Sequence, residues 1–252
     1  MKKVRFRDPS GSIRDGEWLT EDEPAGTDGT VVFADREYDP SAIEILPPCE
    51  PTKIVCIGLN YADHADERDS DLPDRPLLFL KPPNTVASHD SEIRLPAGKK
   101  RIDYEAELGG VIGEQCRNVP ESEAMDVVAG YTCMVDLSNR DDQDREQNWV
   151  RGKAFDGAAP LGPVLATPQE VPADATVELW QNGEKKQSST REHLIFSVPE
   201  LIAEITTYLT LEPGDVIATG TPEGVGPLSD GDRVTVQIEG VGQLRHTVSV
   251  PE

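Results

Sequence analysis

Apolar residues in this chain fall mostly in short runs with strand-like spacing. Val4-Arg5-Phe6, Val31-Val32-Phe33 and Ile43-Glu44-Ile45 are β-prone runs separated by Gly, Asp and Pro. The Pro-rich segment Leu46-Pro47-Pro48-Cys49-Glu50-Pro51 reads as a stiff linker. Together these predict a small N-terminal β-rich unit over residues 1–48 and a larger domain over 49–252. The larger domain opens with a predicted strand at 53–58 and a short helix at 61–68. An acidic, Pro-containing stretch at 69–75 and a strand at 77–80 follow. The runs at 102–113 and 127–135 are strongly strand-like, while the polar stretch 138–147 predicts a helix. Strand runs at 177–181 and 184–187 flank Asn182-Gly183, a two-residue hairpin signal. Further strands are expected at 216–218, 234–238 and 244–250.

One long helix is legible. Ser197 and Glu200 form an S-x-x-E capping box ahead of an apolar run. Leu201, Ile202, Ile205, Tyr208 and Leu209 share the face that a 3.6-residue period defines. No regular alternation of strands and helices is present. The pattern therefore predicts a mixed β (α+β) fold, a β-sandwich or β-roll with few helices, and not a doubly wound sheet.

Charge narrows the partners. The 252 residues include 47 Asp and Glu against 24 Lys and Arg, a formal charge of −23. A nucleic-acid partner or an anionic membrane surface is disfavoured, since both need a basic face. The acid is spread along the chain, which suits a protein held in solution by surface charge, as in a halophilic, high-salt cytoplasm. Cys49, Cys56, Cys116 and Cys133 form no C-x-x-C pair, and Cys56 and Cys133 lie in apolar runs as buried thiols. The basic N-terminus lacks the apolar core of a signal peptide, and no apolar stretch is long enough to span a bilayer. A cytoplasmic location is expected.

The candidate chemistry begins at Asp103-Tyr104-Glu105-Ala106-Glu107-Leu108-Gly109. In a strand, Asp103, Glu105 and Glu107 point one way while Tyr104, Ala106 and Leu108 point into the core. Clustered carboxylates repel unless solvent or a cation separates them. A solvated edge strand is one reading. The other follows from the apolar run after it, Leu108 to Gly113, and from the interior strand 130–135, which ends in Asp136. Glu105, Glu107 and Asp136 would then offer an all-oxygen site, the preference of Mg²⁺ or Mn²⁺.

Five segments in order resemble the fumarylacetoacetate hydrolase family, in its acylpyruvase and 2-hydroxyhepta-2,4-diene-1,7-dioate isomerase-like branch. They are Gly58-Leu59-Asn60-Tyr61-Ala62-Asp63-His64, Asp103-Tyr104-Glu105-Ala106-Glu107-Leu108, the run from Gly130-Tyr131-Thr132 through Asp136 and Arg140 to Gln143, Gly152-Lys153-Ala154-Phe155-Asp156, and Thr219-Gly220-Thr221-Pro222-Glu223-Gly224-Val225-Gly226. Ala154 departs from the Ser or Thr of many members, removing a hydroxyl. The resemblance covers roughly residues 52–250. It implies a homodimeric enzyme that hydrolyses a C–C bond of an acylpyruvate-like 2-oxo acid. Isomerisation or decarboxylation of a muconate- or oxaloacetate-like diacid, or dehydration of a 2-oxo-3-deoxy sugar acid, are the alternatives on the same scaffold. A non-catalytic acidic protein that takes up cations loosely is the alternative of another class.

Roles follow from the motifs. Reactions of 2-oxo acids pass through an enolate beside a carboxylate, which a divalent cation stabilises. His64 and Glu67, three apart on the expected helix, suit a water-activating dyad. Spacing alone favours a solvent-facing pair, and it is the resemblance that makes them catalytic. That helix with its acidic extension suits a lid. Lys153 is expected beside the metal, to neutralise or protonate the enolate. Arg140 and Gln143 are expected to bind the substrate, with Lys81 and Thr221 as weaker contacts. Backbone N–H groups of the loop 219–226 suit a carboxylate. His89, His193 and His246 lack matched partners and read as surface or structural residues.

Overall fold

The computed structural model describes residues 2–20, 29–63 and 72–251. In β1 (Lys2–Arg7) alternation buries Val4 and Phe6 and leaves Lys3, Arg5 and Arg7 more open. β1 pairs antiparallel with β2 (Ile13–Leu19), and β3 (Thr30–Phe33) and β4 (Arg36–Tyr38) continue the ladder outward. β5 (Glu44–Leu46) also pairs with β1. These strands join the rest of the protein through the Lys3–Leu165 pair, and Val4, Phe6, Trp18, Val31 and Ile45 enter the main apolar core.

The remaining strands are β6 (Ile54–Gly58), β7 (Leu77–Lys81), β8 (Val86–Ala87), β9 (Ser91–Arg94), β10 (Ile102–Tyr104), β11 (Ala106–Ile112), β12 (Val128–Val135), β13 (Ser138–Asn139), β14 (Ala159–Ala166), β15 (Thr176–Gln181), β16 (Glu184–Thr190), β17 (Val216–Ala218), β18 (Gly226–Pro227), β19 (Arg233–Ile238) and β20 (Gly242–Ser249). Among the described residues the large sheet runs β4-β3-β2-β1-β14-β12-β11-β17-β6-β7. A second sheet, β16-β15-β19-β20-β9, contains the expected Asn182-Gly183 hairpin. β11, β12 and β14 pack against β15, β19 and β20. The main core lies between the sheets, where Leu108, Cys133 and Val135 meet Val177, Leu179, Val236 and Leu244. This is the expected mixed β-sandwich.

The central strands β6, β11, β12, β14 and β17 are buried on both faces, and the second face positions the site. Cross-strand partners share a face. Glu107 is opposite Met134, Gly109 opposite Ala218, Ala218 opposite Cys56, and Cys56 opposite Phe79. Ile54, Cys56, Val111, Met134, Leu161, Val216 and Ala218 form a smaller apolar cluster there. The Asp136 amide donates to the Glu105 carbonyl at 2.8 Å, carrying the β11–β12 ladder one step beyond Val135. That step sets Glu105 and Asp136 side by side with Glu107.

Two local expectations change. The stretch 138–147 is not one helix. Ser138 and Asn139 pair with β10, so helical geometry is confined to Arg140–Gln143. The long helix, Val198–Tyr208, has the expected capping box and buries Leu201, Ile202 and Ile205. Tyr208, expected on the same face, is 57% exposed, because the chain leaves the helix there.

Candidate active site

Glu105, Glu107 and Asp136 each present a carboxylate oxygen within 4.8 Å of the others, and all three residues are buried. The solvated-edge reading of this segment is thereby excluded. Asp103, expected on the same face, does not join them. It accepts from Arg140 Nε at 2.9 Å and from Arg101 Nε at 2.9 Å. The reason is the break between β10 and β11 at Glu105, which interrupts the strict alternation.

Three buried cations stand among these acids. Lys153 Nζ donates to Asp136 Oδ2 at 2.6 Å, Glu105 Oε2 at 2.8 Å and Ser138 Oγ at 2.5 Å. Arg140 pairs with Glu105 through Nη2 and donates from Nη1 to Gln143 Oε1 at 2.7 Å. Lys81, expected to touch substrate, instead lies fully buried behind Asp136. Its Nζ is 2.7 Å from Asp136 Oδ1 and donates to the carbonyls of Lys153 at 2.5 Å and Ala158 at 3.0 Å. Lys81 lies opposite Ile54 on the face that carries the site, but it is not among the residues that line the cavity. It holds Asp136 in place.

Charge and bonding both suit a cation. Asp103 is met by Arg101 and Arg140, which leaves Glu105, Glu107 and Asp136 to share Lys81, Lys153 and part of Arg140. Burial pulls the Lys153 ammonium down, but Asp136 and Glu105 outweigh this and hold its pKa above the ordinary value. Glu105 is pushed up by burial yet held well below the carboxylate range by Lys153 and Arg140. Glu107 is pushed far up by burial, then by Asp136 and Glu105, so it is the acid left without enough positive charge. Asp136 Oδ1 is near Lys81 but accepts no well-aligned hydrogen bond. An under-satisfied buried oxygen in an all-oxygen donor set fits a hard divalent ion such as Mg²⁺ or Mn²⁺.

The loop 219–226 closes one side. Its Gly220 amide donates to Glu107 Oε2 at 2.8 Å, so the carboxylate it grips is the protein's own. Gly220 has φ +95°, and a Cβ there would lie 2.8 Å from Asn60 Cβ, so only glycine fits. Thr221 lines the cavity, and its Oγ1 accepts from Gln187 Nε2 at 2.9 Å. The hydroxyl hydrogen is thus left to point elsewhere. Gln187, not anticipated, also accepts from the Ala106 amide at 2.9 Å and ties the metal-motif strand to this loop.

The cavity measures about 340 Å³. Its polar floor brings together Glu105, Glu107, Asp136, Lys153, Arg140, Gln143 and Thr221. Ile57, Leu77, Phe79 and Trp149 form an apolar wall that was not anticipated. Phe79 was findable, since it is two residues from Lys81 and so shares its strand face. Ser138, two residues after Asp136, carries the same kind of signal. Trp149, next to an irregular turn, carried none. His64 and Glu67, with the rest of residues 64–71 of the proposed lid, lie outside the described residues.

Comparison with known proteins agrees with this geometry. Residues 53–249 match the family model for the fumarylacetoacetate (FAA) hydrolase C-terminal domain. The mitochondrial oxaloacetate tautomerase of Pongo abelii is 40% identical over 205 residues, covering 79% of this chain and 92% of that protein. The crystal structure of 5-carboxymethyl-2-hydroxymuconate delta-isomerase from Mycobacterium smegmatis is 35% identical, with a TM-score of 0.89 and full coverage of both chains. Fumarylpyruvate hydrolase from Pseudomonas aeruginosa, solved with Mn²⁺ and pyruvate, is 33% identical with a TM-score of 0.75, covering 86% of this chain and 93% of that one. Sequence and fold together make this chain a member of the fumarylacetoacetate hydrolase family.

Proposed function

We propose that the protein is a divalent-metal-dependent hydrolase that cleaves the C–C bond between the two carbonyls of an acylpyruvate-type 2-oxo acid. The observation that carries this reading is the convergence of Glu105, Glu107 and Asp136 with Lys153 in one cavity. The printed ligands of the Pseudomonas hydrolase, Mn²⁺ and pyruvate, support it by analogy. Glu105, Glu107 and Asp136 would hold Mg²⁺ or Mn²⁺, which when bound supplies Lewis-acid stabilisation of enolate charge.

The chain's own residues supply the rest. Arg140 has spent three N–H groups on Asp103, Glu105 and Gln143, and its remaining N–H groups are available to a substrate carboxylate or oxo group. Lys153 stays charged and sits beside the carboxylates, placed to neutralise or protonate an enolate. The apolar wall keeps water scarce around these charges and strengthens them. In this reading His64, with Glu67, is the base that takes the proton from water as the hydroxyl adds to the distal carbonyl. The C–C bond then breaks, its electron pair goes to the pyruvate carbon, and a proton completes pyruvate beside the released carboxylic acid.

The experiment is an assay of acetylpyruvate with Mg²⁺ or Mn²⁺ at low and at molar salt. It follows both loss of the enol absorbance and formation of pyruvate. Pyruvate produced in step with substrate loss, and abolished in His64→Ala, is the expected result. Absorbance change without pyruvate favours the second reading, an isomerase or tautomerase, which the names of the Mycobacterium smegmatis and Pongo relatives support. No pyruvate from any acylpyruvate under either salt condition overturns the hydrolase.

A further inference from the structure

We infer that Gln187 is a positioning residue that fixes the polarity of the Thr221 hydroxyl, making it a hydrogen-bond donor toward the bound 2-oxo acid. The inference rests on the 2-oxo acid reading only for what that hydroxyl meets.

Gln187 lies on β16 opposite Leu179, a residue of the main core, and is 1% exposed. A primary amide buried in such surroundings is tolerated when its hydrogen-bonding groups are satisfied. Its Oε1 accepts from the Ala106 amide at 2.9 Å, and its Nε2 donates to the Pro222 carbonyl at 2.8 Å and to Thr221 Oγ1 at 2.9 Å. The oxygen and nitrogen of a side-chain amide are told apart by their neighbours. Here the backbone N–H of Ala106 can only donate and the carbonyl of Pro222 can only accept. The amide therefore has one orientation, and turning it over would break both bonds.

That orientation decides the hydroxyl. With Nε2 as the donor, Thr221 Oγ1 is the acceptor, and its single hydrogen points away from Gln187. Thr221 lines the cavity, so the group offered there is a donor, suited to a carboxylate or enolate oxygen. The bonds from Gln187 through Thr221 to such an oxygen run in one direction, and bonds in series polarise one another. The loop also lies hard against the strand that carries Gln187. Gly224 has φ +89°, and a Cβ there would overlap the Lys186 carbonyl. The same amide grips Ala106, the residue between Glu105 and Glu107, so the donor and the carboxylates are held in register by one side chain.

Calorimetric titration of the whole protein tests this, first with Mn²⁺ and then with pyruvate on the Mn²⁺-loaded form. Pyruvate has the 2-oxo acid head and no bond to hydrolyse. Thr221→Val, which deletes the hydroxyl at nearly constant shape, is expected to weaken pyruvate about tenfold, the scale of a hydrogen bond to a charged group. Gln187→Met, which frees the hydroxyl to turn toward the Pro222 carbonyl, is expected to weaken pyruvate severalfold while Mn²⁺ affinity stays near that of the wild type. The double variant should bind pyruvate no more weakly than Thr221→Val, because Gln187 acts through the hydroxyl. Unchanged pyruvate affinity in Gln187→Met, losses that multiply in the double variant, or equal losses of Mn²⁺ and pyruvate affinity overturn the inference. So does a wild type that holds Mn²⁺ but no pyruvate. If Gln187→Met does not fold, NMR of the Mg²⁺-loaded protein decides. Pyruvate should shift the Gln187 side-chain amide protons in the wild type and not in Thr221→Val. No shift, or the same shift in both, overturns the inference. Pyruvate binding as expected with no acylpyruvate cleaved would instead remove the hydrolase reading and leave the role of Gln187 standing.

Discussion

The Lys153 ammonium lies 2.6 Å from Oδ2 of Asp136, with both side chains buried. Removing one member of such a pair strands the other charge, at a cost of about 3–5 kcal/mol. Lys153→Met is therefore expected to lower the urea midpoint of the metal-free protein. Added Mn²⁺ should restore more stability to the variant than it adds to the wild type, because the cation replaces the missing charge. Turnover should fall by about 10²–10⁴-fold if Lys153 handles a proton. Denaturation with and without Mn²⁺, alongside steady-state assays, checks both.

Metal binding should depend on all three carboxylates. An ion at about 100 times its Kd stabilises by about 2.7 kcal/mol, which for a chain of this size is a rise of roughly 5–10 °C in melting temperature. Glu107→Gln and Asp136→Asn are expected to abolish that rise; Glu107→Gln, which removes the acid short of positive charge, should leave the metal-free melting point equal or higher, whereas Asp136→Asn should lower it by stranding Lys153 and Lys81. A thermal shift series with Mn²⁺ reads the outcome. An undiminished rise in either variant would show that the ion binds elsewhere.

Gly220 carries two demands at once. Its φ of +95° and the 2.8 Å approach to Asn60 leave no room for a Cβ, and its amide holds Glu107. Gly220→Ala is expected to destabilise the protein by about 1–3 kcal/mol, the cost of left-handed strain plus a forced shift. It should also weaken Mn²⁺ binding, because Glu107 moves with the loop. Chemical unfolding and metal titration measure the two effects separately.

His246 gives the pH prediction. The imidazole is buried on the core face of β20 beside Val234, and neither ring nitrogen has a hydrogen-bond partner. Burial pushes its pKa down to about 3 from the usual 6.5. A base depressed in the folded state is neutral there, while the unfolded chain takes up the proton first. Its contribution to stability is therefore complete above about pH 6.5 and is lost as pH falls toward 3. Between pH 7 and 5 the loss is about 2 kcal/mol from this group alone. His246→Leu should remove that part of the decline, so the urea midpoints of variant and wild type, compared at the two pH values, give the test.

Strand period and local chemistry were enough to determine many of the strands, though not β2, β9 or β14, and where the long helix starts. Those are properties of neighbours in sequence, and alternation or a capping box expresses them directly. The motifs also placed Glu105, Glu107, Asp136, Lys153, Arg140, Gln143 and Thr221 in one region before any coordinates. Only the tertiary structure decided how the charges divide. It gave Asp103 to Arg140, put Lys81 behind Asp136, and turned the loop amide of Gly220 onto Glu107. It also assembled the wall of Phe79 and Trp149 from segments far apart in the chain. Periodicity says which side chains share a face. Which distant partner satisfies a buried charge depends on how the sheet's second face is covered, and that is settled only when the strands pack.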